Sequence, residues 1–139
     1  AANPCGFNIF KDNKKLSIAT DIGNMTLDVL KCLEESEFIL LESNYDLEVL
    51  KHSPYPYNLK RRIAGPHGHL SNELAGKTIS HLLKSGLKNA MLGHLSKESN
   101  FPELAYQTVV DELIYNNYDE NSISLSVASR DEHSKIIQI

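Results

Sequence analysis

Several side chains that can bind metal ions directly follow apolar stretches of the sequence. Asp21 follows LSIAT, and His94 follows NAMLG. Glu42 follows FILL, with Asn44 two residues further on. In α/β proteins, ligands gather beyond the carboxyl ends of the strands, and a carboxylate and an imidazole there can form half of a metal site. The alternatives are a turn-forming or helix-capping Asp21 and a buried, hydrogen-bonded His94.

The glycine-rich segment GPHGHLSNE, residues 65–73, contains two more histidines. His67 and His69 are two residues apart, but the aspartate and last histidine of the zinc motif HxHxDH do not follow them. His69 is better explained as a residue at the start of a helix, with Ser71 or Asn72 as the cap. The positive end of a helix dipole lowers the pKa of a histidine and favours phosphate, which suits a proton donor to a leaving group. The alternative is a loop histidine in water.

Further polar residues follow His94 in the segment HLSKESN. They are residues of types that are ordinary in loops and helix caps, namely Ser96, Lys97, Glu98 and Asn100. The chain has no Walker loop, no GxGxxG motif and no nucleophile elbow. Nucleotide-cradling loops and serine hydrolase chemistry are therefore not indicated.

The composition is typical of one globular domain without an overall basic charge. The chain has 139 residues, of which 41% are hydrophobic and 23% charged, and its formal net charge is −4. Nucleic acid binding would therefore depend on a local patch. The dense basic cluster KRR, residues 60–62, is one candidate, although a solvated helix face explains it too. Tyr55 and Tyr57, in a proline-rich loop, can line a substrate groove or belong to the rim of the core.

The sequence predicts a cytoplasmic protein. Its two cysteines, Cys5 and Cys32, are far apart and form no CxxC pattern, which fits a reducing compartment. No apolar run reaches the length of a membrane span, and the first residues have neither the basic nor the apolar region of a signal peptide.

The spacing of apolar residues predicts alternating strands and helices. The expected strands are residues 6–10, 15–20, 37–43, 89–95, 122–129 and 135–139, and the expected helical segments are 25–36, 46–53, 58–65, 71–86 and 101–117. We summarise the order as ββαβααβαββ. It predicts an α/β protein in which helices pack on a mixed sheet.

Taken in order, several segments resemble the C-terminal half of the metallo-β-lactamase-fold hydrolases. They are NPCGFNIF, LSIATDIG, FILLESNYD, YPYNLKRRI, GHLSNELAG and LGHLSKESNFPELA. The most similar subgroup is the bacterial tRNase Z-related hydrolases linked to cell-wall two-component signalling, which are often assigned as exonucleases. The resemblance covers nearly the whole chain, is most specific at ATDIG, ESNYD and the two GHLS segments, and implies half of an αββα sandwich.

The resemblance also implies roles for individual residues. Asp21 corresponds to a carboxylate that bridges two metal ions, His94 to the last ligand histidine, and His69 to a residue near the leaving group. In these enzymes two ions, zinc or manganese, activate a water that attacks a phosphodiester or related ester. Nearby polar residues are then expected to bind substrate: Ser71, Asn72, Ser96 and Asn100. Tyr45 is a departure, because this family often has a histidine there.

A second departure is the missing N-terminal half of the fold, which carries HxHxDH and a further ligand histidine. We therefore expect residues 1–139 to be a single domain, the C-terminal half of the fold and a fragment of a longer chain. It would bind few or no ions alone. The inner sheet face would be uncovered, which predicts a homo-oligomer or contact with the missing half.

Three functional hypotheses follow. The first is part of a metal-dependent phosphodiesterase or nuclease, inactive by itself, with a nucleic acid as the expected substrate. The second is a non-catalytic α/β binding or dimerisation module. The third is a small hydrolase that uses His69 and His94 in a mononuclear site built across a dimer.

Overall fold

The computed structural model describes residues 4–139 and shows a single mixed sheet with helices packed on one face. The strands are β1 (Phe7–Lys11), β2 (Lys14–Ala19), β3 (Phe38–Glu42), β4 (Asn89–Gly93) and β5 (Ser124–Val127). The helices are α1 (Leu27–Leu33), α2 (Leu47–His52), α3 (Tyr57–Ile63), α4 (Asn72–Leu83) and α5 (Pro102–Tyr115), with a 3-10 turn at Glu120–Ser122.

The strands lie in the sheet in chain order, β1-β2-β3-β4-β5. The β1–β2 pair is antiparallel, and its two-residue turn has positive φ angles of 49° at Asp12 and 63° at Asn13. Such angles are required by the tight turns that match strand twist. The other three pairs are parallel. The carboxyl ends of β2, β3, β4 and β5 therefore meet at one edge of the sheet.

One face of the sheet carries the main core. Ile39, Leu41 and Leu92 point into it and are fully buried, and they belong to one cluster with Ile79 of α4 and Val109 of α5. α4 is capped at its start by Ser71, whose side chain accepts a hydrogen bond from the Leu74 N–H. Close packing of these helices fixes the loops at the carboxyl edge of the sheet.

The opposite face of the sheet has no helix on it among residues 4–139. Phe7 and Ile9 of β1 lie on this face, because they pair with Ile18 and Leu16, and they are 60% and 52% exposed. A large apolar face of this kind is consistent with half of a sandwich fold. The predicted α/β class is confirmed.

The three helical segments predicted between β3 and β4 are all present, so the summarised order ββαβααβαββ omits one of them. The last predicted strand is wrong. Residues 135–139 form no strand. Ile137 and Ile139 instead border a small cavity with Phe38, on the sheet face that carries no helix. The C-terminal tail, residues 135–139, therefore lies over this face. It does not lie beside a strand edge, where it would find backbone hydrogen-bond partners.

Candidate metal centre

Four metal-capable side chains converge at the carboxyl edge of the sheet. Asp21 follows β2, Glu42 ends β3, His69 precedes α4, and His94 follows β4. One potential ligand atom from each lies within 4.8 Å of those of the other three. The strand-end pattern in the sequence correctly predicted that Asp21 and His94 lie together, because parallel neighbouring strands end at the same edge.

The backbone turns sharply at both predicted metal ligands. Asp21 has φ of 58° and His94 has φ of 57°, which is the left-handed region. Residues with a Cβ adopt this region at a cost of roughly 1 kcal/mol or more, and aspartate and histidine tolerate it better than most. The turn lets each residue leave its strand at once and places both side chains near His69.

A loop of closely packed glycines holds His69 in place. A Cβ on Gly23 would lie 2.8 Å from the Pro66 carbonyl oxygen, and a Cβ on Gly68 would overlap the carbonyl of Ile63. The His69 N–H donates to the Ile63 carbonyl at 2.9 Å. A larger residue at Gly23 would separate the Asp21 loop from the His69 loop, and one at Gly68 would push the His69 loop away from the end of α3.

Glu42 is the centre of the cluster and is fully buried. Its Oε1 accepts hydrogen bonds from Nδ1 of His69 at 2.7 Å and from Nδ1 of His94 at 2.6 Å. Its Oε2 accepts from the backbone N–H groups of Ile22 at 3.0 Å and Leu70 at 3.3 Å. Because each histidine uses Nδ1–H toward Glu42, its Nε2 lone pair is left for a metal ion or a proton.

The hydrogen bonds set the charge of the cluster. Burial raises the pKa of Glu42, but the hydrogen bonds and positive charges of His69 and His94 outweigh it and lower that pKa overall. The hydrogen bond to Glu42 raises the pKa of His94, against the effect of burial, and the charges of Glu42 and Asp21 add to the rise. Glu42 is therefore stabilised in its ionised form, and it favours a positive charge on His94.

Asn44 ties the surrounding loops together. Its side-chain amide donates to the His94 carbonyl at 2.7 Å, and its backbone N–H donates to the Leu70 carbonyl at 2.8 Å. Its own carbonyl accepts from the Ser96 N–H at 2.8 Å. The two histidine-bearing loops are thus held at a fixed separation.

The four residues expected to bind substrate take different places. Asn72 and Asn100 are buried, and their amides hydrogen bond to each other and to Ser43. Ser71 caps α4 through its hydroxyl. Ser96 lines the cleft, but its hydroxyl accepts from the N–H groups of Glu98 and Ser99. Ser96 borders the cleft beside His69 and His94, and both Ser96 and Asn100 border a second cleft that His94 also lines.

A cleft of about 740 Å³ opens above the cluster, with Asp21, His69 and His94 in its lining. This volume is in the usual range of ligand sites. Tyr45 is not part of the lining but packs with Leu50 in a small second core. It is therefore not placed to replace a ligand histidine.

The donor set fits a divalent cation. Asp21 supplies oxygen and the two histidines supply nitrogen, which suits zinc, manganese or iron. Glu42 supplies the outer carboxylate that commonly orients ligating histidines. The sequence pattern noted Glu42 at a strand end without giving it a role. The signal that could have identified it is an acidic residue at the end of an otherwise apolar strand, because such a residue is buried with the strand and needs hydrogen-bond partners there.

Comparison with characterised proteins identifies relatives over most of this chain. The protein named exodeoxyribonuclease WalJ from Streptococcus pneumoniae, in strains D39 and R6, is 37% identical over 113 residues, covering 81% of this chain and 42% of the relative. The protein named exodeoxyribonuclease YycJ from Bacillus anthracis is 33% identical over 109 residues, covering 78% of this chain and 41% of the relative. No protein-family model matches the chain.

The chain is a homologue of the WalJ and YycJ proteins. This confirms the predicted resemblance to the exonuclease subgroup. The chain spans about two fifths of the length of these relatives. Among residues 4–139, no helix is long and apolar enough to cross a membrane.

Proposed function

We propose that this chain supplies part of the metal centre of a metallo-β-lactamase-superfamily hydrolase that cleaves phosphodiester bonds in DNA. The observation that supports it best is the convergence of Asp21, His69 and His94 around the buried carboxylate of Glu42. The names of the WalJ and YycJ relatives support a DNA substrate. We also propose a cytoplasmic location, which the free Cys5 and Cys32 support.

Asp21 and His94 hold the metal in this proposal. The bound ions, two of zinc or manganese in the complete site, supply Lewis-acid activation of a water and of the phosphodiester. One carboxylate and one imidazole are fewer ligands than two such ions need. The chain alone is therefore proposed to be inactive, with the remaining ligands coming from a further segment or a second copy.

His69 is proposed as the proton donor to the leaving group. Its Nδ1 lies 2.7 Å from Oε1 of Glu42, and this contact fixes the orientation of the ring. Its Nε2 is then available for the leaving oxygen. Asp21 Oδ1 lies 3.7 Å from His69 Nδ1, which keeps this histidine beside the proposed metal ligand.

The open sheet face favours association. Phe7 and Ile9 are more than half exposed on a face that carries no helix among the described residues. We propose that the N-terminal half of the fold, or a second copy of this chain, covers it. A non-catalytic association module would use the same face. Measurements of metal binding and of DNA hydrolysis are therefore needed to distinguish such a module from the proposed hydrolase.

The test uses an assembly in which the further segment or the second copy supplies the remaining ligands. Its metal content is measured after loading with zinc or manganese, and hydrolysis of DNA is assayed next. We expect the unsubstituted protein to bind metal stoichiometrically. Both Asp21→Ala and His94→Ala should lose the bound metal and any DNA cleavage activity. Glu34→Gln, which alters an exposed carboxylate paired with His81 at the other end of the sheet, should keep both. Metal-free protein under all conditions, in a correctly folded assembly with the remaining ligands present, would refute the proposal and favour the association module.

A further inference from the structure

The turn at His94 is strained, and contacts from elsewhere in the chain must hold it. His94 follows β4 directly with φ of 57°, a left-handed conformation that residues with a Cβ seldom adopt. Such conformations persist where the surrounding structure fixes them. The direction of the His94 ring, and with it the contact to Glu42, depends on the groups that fix this turn.

Asn44, two residues after Glu42, makes a side-chain contact with this turn. Its amide nitrogen Nδ2 donates a hydrogen bond to the carbonyl oxygen of His94 at 2.7 Å. Asn44 is only 7% exposed, so water has little access to compete for the bond. The bond fixes the peptide plane that follows the His94 Cα, and from this backbone position the His94 Nδ1 reaches Oε1 of Glu42 at 2.6 Å.

Backbone hydrogen bonds tie the same turn to the end of β3. The Ser43 N–H donates to the Gly93 carbonyl at 3.0 Å, and the Ser96 N–H donates to the Asn44 carbonyl at 2.8 Å. Residues before and after His94 are therefore held by the two residues that follow β3. The side-chain amide of Asn44 is the part of this arrangement that a substitution can remove while the backbone bonds stay.

A buried pair of amides keeps the Ser43–Asn44 backbone in place. Nδ2 of Asn100 donates to the Ser43 carbonyl and to Oδ1 of Asn72, both at 2.8 Å, and Oγ of Ser43 donates to the same Asn72 oxygen at 2.6 Å. Buried polar networks are rigid when their groups are satisfied. Asn44 is thus a donor at a fixed position, as a group that orients another must be.

We propose that Asn44 is a positioning residue that holds His94 in its left-handed turn, with Nδ1 on Glu42 and Nε2 left for the metal ion. Asn44 acts through His94 in this role. The inference rests on the proposed function, in which His94 is a metal ligand, and adds the residue that orients this ligand. Asn44 also borders the cleft above the cluster, so the experiment must separate positioning from contact with the substrate.

The first measurement is NMR of the histidine ring N–H groups in the metal-free chain, with a chelator present and the signals assigned through His69→Gln and His94→Gln. Asn44→Asp keeps the size of the side chain but replaces its N–H donors with oxygen. We expect it to remove the hydrogen-bonded Nδ1–H signal of His94 and to keep that of His69. Asn44→Ala, which removes the amide without adding a charge, should do the same. Asn116 also donates to a backbone carbonyl at 2.7 Å, at the end of α5, so Asn116→Asp is the matched control and should keep both signals.

The second measurement is metal affinity and the kinetics of DNA cleavage in the assembly that contains the remaining ligands. Both Asn44 variants should bind metal about 10- to 100-fold more weakly, because removal of a group that orients a ligating histidine has effects of this size. Their KM for DNA at saturating metal should be unchanged, and Asn116→Asp should match the unsubstituted protein throughout. A change in KM alone, with metal affinity and both histidine signals intact, would overturn the inference and make Asn44 a substrate contact.

The NMR outcomes separate this inference from the proposed function. Folded Asn44 variants that keep the His94 signal, or an unsubstituted chain without one, would overturn the positioning role and leave the hydrolase proposal standing. Equal loss of the His69 and His94 signals, with a lower free energy of unfolding, would also overturn it by showing a general structural role. Selective loss of the His94 signal, in a protein whose assembly binds no metal, would support the positioning role and refute the proposed function.

Discussion

Two histidine–glutamate contacts lie at opposite ends of the sheet and differ in their surroundings. His81 Nε2 and Glu34 Oε1 are 2.9 Å apart, and these side chains are 42% and 39% exposed. Glu42 contacts His69 and His94 at similar distances, yet its side chain is fully buried. Distance alone therefore does not distinguish a surface pair from a functional centre.

The difference lies in how completely the carboxylate is used. Glu42 accepts four hydrogen bonds, two from histidines and two from backbone N–H groups. A buried charge with fewer partners would be strongly unfavourable. Glu34 is screened by water, and such an exposed pair contributes about 0–1 kcal/mol. The buried arrangement fixes both ring orientations, which is the property that a metal centre requires.

Replacing one histidine at each end should give the largest contrast. In the metal-loaded assembly that contains the remaining ligands, we expect His69→Gln to lower the rate of DNA cleavage by about 10²- to 10⁴-fold while metal content is unchanged, because a general acid is removed. His81→Gln should leave the rate unaltered. Loss of metal in His69→Gln would instead make His69 a ligand, as the mononuclear hypothesis requires.

Replacing the two glutamates should give a smaller contrast in metal affinity. Glu42→Gln keeps the size of the side chain but presents an N–H₂ group to donors, so we expect metal to bind about 10- to 100-fold more weakly. The free energy of unfolding should fall by about 2 kcal/mol through lost charge-assisted hydrogen bonds. Glu34→Gln, measured by metal titration and urea denaturation, is the matched control. Equal effects of the two variants would contradict the distinction between the two ends.

The pH dependence of stability in the metal-free protein should show the smallest effect. The pKa of Glu42 is lowered, so its contribution is complete above the ordinary glutamate value of about 4.3 and is lost as the pH falls through the folded-state pKa. The pKa of His94 is raised, so its contribution is complete below about pH 6.5 and is lost as the pH rises through the folded-state pKa.

Urea denaturation across this range, with a chelator present, measures both limits. His94→Gln should flatten the loss of stability on the alkaline side, whereas His81→Gln should leave the profile as it is. If the stability of His94→Gln fell with rising pH as much as that of the unsubstituted protein, another titrating group would be the cause of that fall.

Much of the fold was predictable because local patterns specify it. The patterns in residues 6–10, 15–20 and 37–43 predicted three strands, which the structure shows at residues 7–11, 14–19 and 38–42. The predicted strand at residues 135–139 was wrong, because an apolar segment of that length forms a strand only where a neighbouring edge is free to pair with it. The tail lies over the sheet face instead.

The candidate site was predictable in part. The sequence by itself placed Asp21 and His94 at the ends of parallel strands, which meet at one edge whatever the details of packing. It did not give Glu42 a role, and it did not show that the amides of Asn72 and Asn100 hydrogen bond to each other in a buried network. The hydrogen bonds of Glu42 join residues 20, 27, 28 and 52 positions away along the chain. Such partners are brought together only by the packing of α4 and of three loops on the sheet, so the tertiary structure alone decided which carboxylate orients the histidines.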